Sequence, residues 1–576
     1  MMVRSGSPVK TKTHSRSINN PEITITTAQL ALALVGIFLL NLLLRVFYIR
    51  YDFVNGDEGV RALSAVRILE GARLYADVVT DKPPGASLFY AAVFAIFGRS
   101  MKAVHLAAIV WNYATSVVVY LIAAQFYNRR VGLWAALLFA YFSTNYFTQD
   151  TMAANTELLM ALAYAASFLF FMVGQNTGTR GRTRATSFSL IAAGVLTGFA
   201  ALFKQVGVLN LGFFAVYEMV EVWNHRKDER AASGSMTKPV SRAILRLAMV
   251  GIGFAAVIAI FVLWLNSMGA LDAFWRNGIV LNRFYIDSEP VDTWIKFGVG
   301  RGLGYVFFNA TLWALASWAV VHSIRKTRRD DRYRDAANAK VRFDLAIALW
   351  AAVTLVGVIM SGRFFGHYFI PALPALSLLG ARGVSSFAEA LRAPAHKRRA
   401  QFALVILGVL FLIGFFRSHH RTAVLAYETV TGTRTRWSAN WGMTKREQEA
   451  EVVAAFVRER IPPGEPLYIW GYAHDVYWRT GCRPASRYLT PYYINGRFID
   501  AESAAPISGE NFRREAAANL LEDLKREKPR LILDVGGGFK RLEYADLVEY
   551  VDRNYRDEGS IGTDPSNPFR VLQLKE

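Results

Sequence analysis

Asn55-Gly-Asp-Glu-Gly-Val-Arg-Ala-Leu-Ser-Ala-Val-Arg-Ile-Leu-Glu-Gly-Ala-Arg-Leu-Tyr75, followed shortly by Thr80-Asp-Lys-Pro-Pro-Gly85, is the stretch on which the reading of this chain turns. It comes directly after the apolar run Thr27–Tyr48, which is long enough to cross a bilayer, since a spanning helix needs about 20 residues. No small-residue cleavage site follows that run, so it reads as a retained first span. The quoted stretch therefore emerges at a membrane surface. Ala62, Leu63, Val66 and Leu69 fall on one helical face, and Arg61, Ser64 and Arg67 fall on the other. That pattern predicts a short helix lying in the interface plane. Asp57 fits its N-cap and Glu58 its favoured first turn. One carboxylate is enough for a cap, and the helix sits where a lipid-borne substrate presents its polar head, so the pair also reads as chemical. Pro83 and Pro84 hold Lys82 in a stiff, extended segment. Its ammonium either snorkels to head groups or stands as a point charge on a phosphate. Residues 86–97 are apolar but too short to span, and read as a second interfacial helix.

Composition places this stretch in a membrane protein. The 576 residues are 53% hydrophobic and only 19% charged, which is the balance of a multi-span chain. A single cysteine, Cys482, excludes a disulfide framework and an intrachain thiolate metal cluster. The net charge of +21 does not point to nucleic acid. From Arg417 onward there are 24 Lys/Arg against 23 Asp/Glu, so the excess lies in short loops between apolar runs. That is a topology signal, and it leaves no basic groove for a nucleic-acid partner.

Ten further runs follow the first, near 103–126, 131–148, 154–173, 186–203, 206–222, 246–266, 302–323, 343–360, 365–381 and 401–416. Together they predict about eleven transmembrane helices. With a cytoplasmic N-terminus, the inner segments hold 28 Lys/Arg and the outer segments before Arg417 hold 14, in keeping with the positive-inside rule. Fusing the runs on either side of Lys204 would bury a lysine in lipid and reverse every later loop. The expected organisation is a basic, disordered N-terminus over 1–26, a membrane domain over 27–416 with outer loops 50–102 and 268–301, and an extracytoplasmic domain over 417–576. In the last region, Arg446–Arg460 and Arg513–Glu527 read as helices, and Leu467–Gly471 and Leu531–Val535 read as buried strands. They predict a small α/β domain. Asp534-Val-Gly-Gly-Gly-Phe539 lacks the full spacing of a nucleotide-binding turn and reads as a strand-to-loop turn. His474, Asp475, His419 and His420 form no convincing metal set.

The N-terminal block resembles one superfamily. Asp57-Glu58 after the first span, Gly71 to Tyr75, Lys82-Pro-Pro-Gly85 and the apolar stretch ending Phe97-Gly98 are similar to the GT-C membrane glycosyltransferases. The branch resembled is the bacterial dolichyl-phosphate-mannose-protein mannosyltransferase-like and aminoarabinose-transferase-like one. Asn155-Thr-Glu157, Phe203-Lys-Gln205, Gly366-His-Tyr-Phe-Ile-Pro-Ala-Leu-Pro374 and Trp470-Gly471 continue the resemblance. It implies the GT-C fold and a sugar donor carried on a polyprenyl phosphate. It matches Asp57 to the first-loop acid presumed to act as base, Glu58 to the acid beside it and Lys82 to a lysine near the lipid phosphate. Glu157 stands where the family more often carries Asp, and Asp150 on the same outer loop is a rival.

Such a reaction needs a carboxylate to take the acceptor hydroxyl's proton as the glycosidic bond forms. The transition state resembles an oxocarbenium ion. Negative charge grows on the departing phosphate, where fixed cations favour the transition state over the substrate. Lys82, Lys204, Arg363 and His367 all fall near outer span ends and can serve. Lys204 equally reads as a snorkelling lysine, and His367 as a member of an aromatic belt. Arg276, Arg283 and Tyr285 on the outer loop can cover the site or touch the acceptor. One displacement by one acceptor predicts inversion at the anomeric carbon.

The expected partners are the lipid-linked donor, membrane lipids and a protein, lipid or polysaccharide acceptor. The expected location is a cytoplasmic or inner membrane, with the site outside. No metal ligands are assigned, and a divalent metal is left open, as are the sugar and the acceptor. Two rival readings share the spans. A transporter or flippase of lipid-linked sugars needs no base, and often carries an inverted repeat that is not visible here. A non-catalytic scaffold with a glycan- or partner-binding C-terminal domain needs neither Asp57 nor Glu157.

Overall fold

A computed structural model describes residues 25–177, 183–229, 237–283, 290–329, 336–496, 509–539 and 542–576. The basic N-terminus expected over 1–26 lies almost wholly outside the described residues, as does Tyr285. Helix α1 (Thr27–Arg45) opens with a reciprocal cap between Thr26 and Gln29 and ends in a tight 3-10 turn, Val46–Arg50. Helices α2 (Gly56–Leu69) and α3 (Gly85–Phe97) follow. Next come α4 (Met101–Phe126), α5 (Arg129–Phe142), the single turn α6 (Thr148–Thr151) and α7 (Thr156–Thr177). Helices α8 (Thr183–Phe203) and α9 (Leu209–Glu229) are separated at Lys204 by a 3-10 turn, where the chain was expected to break. Helix α10 (Thr237–Ser267) crosses α8 closely. A Cβ on Gly194 would lie 1.9 Å from the Val250 carbonyl oxygen, and one on Gly253 2.1 Å from that of Ile191. Small residues of this kind let helices approach in lipid.

Among the described residues, eight helices are long and apolar enough to cross a membrane. A pair bent by 80° around Asn309, Val291–Phe308 with Ala310–Arg325, makes a ninth. The two remaining expected runs also form helices. Helix α5 has only 14 residues, about 21 Å at 1.5 Å each, short of a bilayer core of about 30 Å. Residues 365–381 enter a 3-10 turn, Gly366–Ala372, and continue as Leu373–Arg392, buried in the middle of the bundle. Aromatic stacking fills that core: Phe168 lies 4.1 Å from Trp350, and Phe171 lies 4.1 Å from Phe214. One end of the bundle holds a buried polar knot. Arg45 donates to Asn41 at 2.6 Å and to the Ser143 hydroxyl at 2.9 Å, and Asn112 donates to both at 3.1 Å.

The boundary expected at 417 falls inside a 35-residue helix, Lys397–Thr431, which ends at Gly432 with φ 69°. At about 52 Å the helix outruns the bilayer and carries the chain into the C-terminal domain. There a sheet of five strands has the order β2-β1-β3-β5-β4: β1 (Pro466–Trp470), β2 (Arg483–Pro484), β3 (Leu531–Val535), β4 (Tyr555–Ile561) and β5 (Phe569–Leu574). The β1 pairings with β2 and β3 are parallel, and those of β5 are antiparallel. Asp534 ends its strand by accepting from the Phe539 amide at 3.0 Å, and Gly536 and Gly537 both take φ 65°. The glycine run is thus a tight turn.

This domain roofs α2. A Cβ on Gly59 would lie 2.5 Å from the His474 Cβ. The expectation of a helix lying on lipid with a solvated polar face is therefore corrected. Arg61 and Ser64 are buried, and Leu69 on the expected apolar face is exposed. With bundle beneath and domain above, both faces of α2 are covered.

Candidate functional site

The site is assembled at one end of the bundle. Asn55, not Asp57, is the N-cap of α2: its side-chain oxygen accepts from the Glu58 amide at 3.1 Å. Its amide nitrogen donates to Asn155 Oδ1 at 3.1 Å, which ties the start of α2 to the start of α7. Asp57 is thereby placed in the first helical turn with its carboxylate pointing outward. The side chain is 54% exposed and pairs with Arg61 Nη2 at 3.0 Å, one turn on. Partial burial raises its pKa. Arg61 first, then Lys82 and His367, oppose that effect and hold the carboxyl below its ordinary range. Solvent contact tempers both effects.

Glu58, one residue on, has no exposed surface. It accepts from the amides of Val54 and Ala154, both at 2.7 Å, and from Tyr90 at 3.5 Å. His105 Nε2 stands 3.1 Å from its Oε1. Burial raises its pKa, and His105 with the two amides more than reverses this. Neither oxygen is open to a substrate. The expectation that Glu58 takes part in chemistry is corrected on this ground: its carboxylate is a strut between the loop leaving α1 and the loop entering α7.

Glu157 is 2% exposed, in the first turn of α7. It accepts from the Lys204 ammonium and, at 2.7 Å, from the Thr156 hydroxyl. Lys204 also lies over the Tyr368 ring, 3.6 Å from its centre. His367 bridges the two rival acids, with Nδ1 3.0 Å from Asp150 Oδ1 and Nε2 3.8 Å from Glu157 Oε1. Asp150 Oδ2 accepts from the Gly366 amide at 2.9 Å. Asp150 thus clamps the 3-10 turn that carries His367. Lys82, from the outer loop, pairs with Asp81 at 2.5 Å. Lys82, Lys204 and Asp57 lie near enough to act on one another electrostatically.

The remaining expected residues divide. Arg363 is buried in the turn before His367, and its carbonyl accepts from Arg301 at 3.3 Å. Arg276 stands apart from the acidic cluster: it pairs with Glu515 of the C-terminal domain and lies 5.3 Å from the centre of the Phe512 ring. It lines a cleft of about 690 Å³ between the end of α2 and that domain, which does not reach Asp57. Arg283 is exposed at the edge of the described loop. Three contributors escaped the sequence reading. Arg61 was placed on the solvent face although its spacing of four from Asp57 is an ion-pair signal. Asp81 was passed over beside Lys82, and Tyr368 was read as belt. Among the described residues, no group of three or more His, Cys, Asp or Glu side chains has the geometry to hold a metal.

Known proteins bear directly on this architecture. The structure of ArnT from Cupriavidus metallidurans bound to undecaprenyl phosphate superposes with a TM-score of 0.57, at 14% identity, covering 95% of this chain and 98% of that one. This chain has the GT-C fold. The apo form of the same ArnT gives a TM-score of 0.51 at 15% identity, covering 94% and 97% of the two chains. The Archaeoglobus fulgidus oligosaccharyltransferase tethered to an acceptor peptide gives 0.50 at 12% identity, covering 96% and 74%. A family model, dolichyl-phosphate-mannose-protein mannosyltransferase, matches residues 81–234. That match takes in Lys82, Glu157 and Lys204, and Asp57 lies before it. No curated protein sequence matches the chain.

Proposed function

We propose that this protein is an integral-membrane glycosyltransferase that moves a sugar from a polyprenyl-phosphate donor to a protein, lipid or glycan acceptor of the cell envelope. The reaction takes place on the extracytoplasmic face of a cytoplasmic membrane whose inner side holds the N-terminus. One observation carries the reading: a half-exposed carboxylate, Asp57, stands beside the lysines of two other elements at one end of an apolar bundle. The ArnT neighbour was solved with undecaprenyl phosphate, which supports a lipid phosphate as the donor's anionic part.

Asp57 accepts the proton of the acceptor hydroxyl while that oxygen attacks the anomeric carbon. The bond from that carbon to the phosphate oxygen breaks, and its electron pair leaves on the lipid phosphate. Lys82 stands as a point charge on that phosphate. Lys204, held between Glu157 and Tyr368, supplies fixed positive potential without moving. Arg61 keeps the base ionised. A single displacement inverts the anomeric centre. Release of free polyprenyl phosphate in step with glycosylated product, from purified protein given envelope lipid extract, is the expected result. A protein that carries the donor across a vesicle intact would instead be a transporter.

A further inference from the structure

Asp81 is the point where three outer segments meet. Its side chain is buried beside the half-exposed Lys82. One carboxylate oxygen, Oδ2, holds the Lys82 ammonium at 2.5 Å. The other, Oδ1, accepts from the Tyr492 hydroxyl of the C-terminal domain at 2.7 Å. Its carbonyl accepts from Asn282 of the outer loop after α10. The backbone on either side is pinned in the same way. Val79 donates to the Arg487 carbonyl at 2.9 Å and forms a parallel bridge with Tyr488. Tyr75 donates from its hydroxyl to the Lys82 carbonyl at 3.0 Å. Tyr75 itself takes φ 72°, a left-handed conformation that non-glycine residues rarely adopt. Asn277 holds its carbonyl at 3.2 Å, and Phe274 packs on its ring.

We infer that Tyr492 and Asp81 form a latch through which the C-terminal domain sets the position of the Lys82 ammonium for the donor phosphate. The inference rests on the reading of Lys82 as a phosphate contact. A lysine this exposed samples many rotamers. The latch removes that freedom before the ligand arrives. The Tyr492 hydroxyl keeps Asp81 turned so that Oδ2 faces the ammonium. An ammonium has three donors, so one can stay on Asp81 while the others meet phosphate oxygens. Tyr492 and Asp81 are positioning residues: they act through Lys82. Docking of the C-terminal domain therefore tunes donor binding without contributing a group that touches the donor.

The test uses the full-length protein and undecaprenyl phosphate without sugar as the probe, with affinity measured directly. Lys82→Ala is expected to weaken binding about tenfold or more, and Tyr492→Phe and Asp81→Asn about fivefold each. Tyr492→Phe keeps the ring stacked on Tyr493, whose centre is 4.1 Å away, so the fold is retained. In the Lys82→Ala background, Tyr492→Phe is expected to add no further loss. In turnover, both latch variants lower kcat/KM for the donor, and each by less than Lys82→Ala does. Wild-type affinity in Tyr492→Phe, or a loss that adds in full to that of Lys82→Ala, overturns the latch while leaving Lys82 on the phosphate. Unchanged affinity in Lys82→Ala overturns the phosphate role itself, and the latch with it.

Discussion

The first turns of α2 and α7 each present an acid to the same cluster, in opposite circumstances. Asp57 is 54% exposed and has one arginine, from its own helix, as ion-pair partner. Glu157 is 2% exposed and is held by the adjacent Thr156 and by a lysine and a histidine from elsewhere in the fold. Glu58, beside Asp57, is more buried still. The difference teaches that residue type does not assign a role in such a site. A carboxylate can take a proton from a substrate only where an oxygen remains accessible, and packing decides which one does. Buried carboxylates here hold elements together, and the exposed one is the residue proposed as the base.

Substitutions that test this contrast should separate widely. Glu58→Ala is expected to have the largest effect, about 3–5 kcal/mol of lost stability, because it strands the Val54 and Ala154 amides and the His105 ring. Thermal unfolding of purified protein would show it, and a melting temperature near that of the parent would contradict the strut. Next is a pH effect at the roof of α2. His474 is buried against Gly59 and bonded to the Leu489 carbonyl at 2.9 Å. Burial pushes its pKa down to about 4. Below its ordinary value of about 6.5 the unfolded chain takes up a proton that the folded chain refuses. Stability present above that pH is therefore lost as pH falls toward 4, on the order of 3 kcal/mol over the window. A His474→Gln variant should show a flatter profile between pH 6.5 and 4, and an equal slope in both proteins would remove His474 as the cause.

Glu157→Gln is expected to cost about 2 kcal/mol, less than a fully enclosed pair because Lys204 keeps some solvent contact. Adding Lys204→Met to Glu157→Gln should restore part of that loss in a double-mutant comparison; two independent losses would mean that the pair is not coupled. The smallest stability effect belongs to Asp57→Asn, under about 1 kcal/mol, as for other exposed ion pairs. A large loss of stability there would place Asp57 among the struts.

Much of the frame was legible because hydropathy and helical period report it locally. The first span, the break at Lys204, the short helix over Gly85–Phe97 and the strands around Tyr468 and Ile532 are written within single stretches. What failed depends on contacts distant in sequence. Arg61 looks solvated until Asn155, at the start of α7, accepts from its guanidinium at 3.2 Å. Glu58 looks redundant beside Asp57 until His105 and the Ala154 amide close around it. Arg417 ends the apolar run 401–416, but the helix continues to Thr431 and buries His419 against Asn145 at 2.9 Å. β4 was missed because Arg556, Asp557 and Glu558 make it charged, as an exposed edge strand tolerates.

The central claim is that the exposed acid of α2 is the base of a sugar transfer from a lipid phosphate. The most direct measurement is a single-turnover comparison of parent and Asp57→Asn protein, with polyprenyl-phosphate release and glycosylated product followed by mass spectrometry. A fall in transfer rate of about 10²–10⁴-fold, with undecaprenyl phosphate still bound and the fold intact, is the predicted result. Transfer by Asp57→Asn at the parent rate would contradict it.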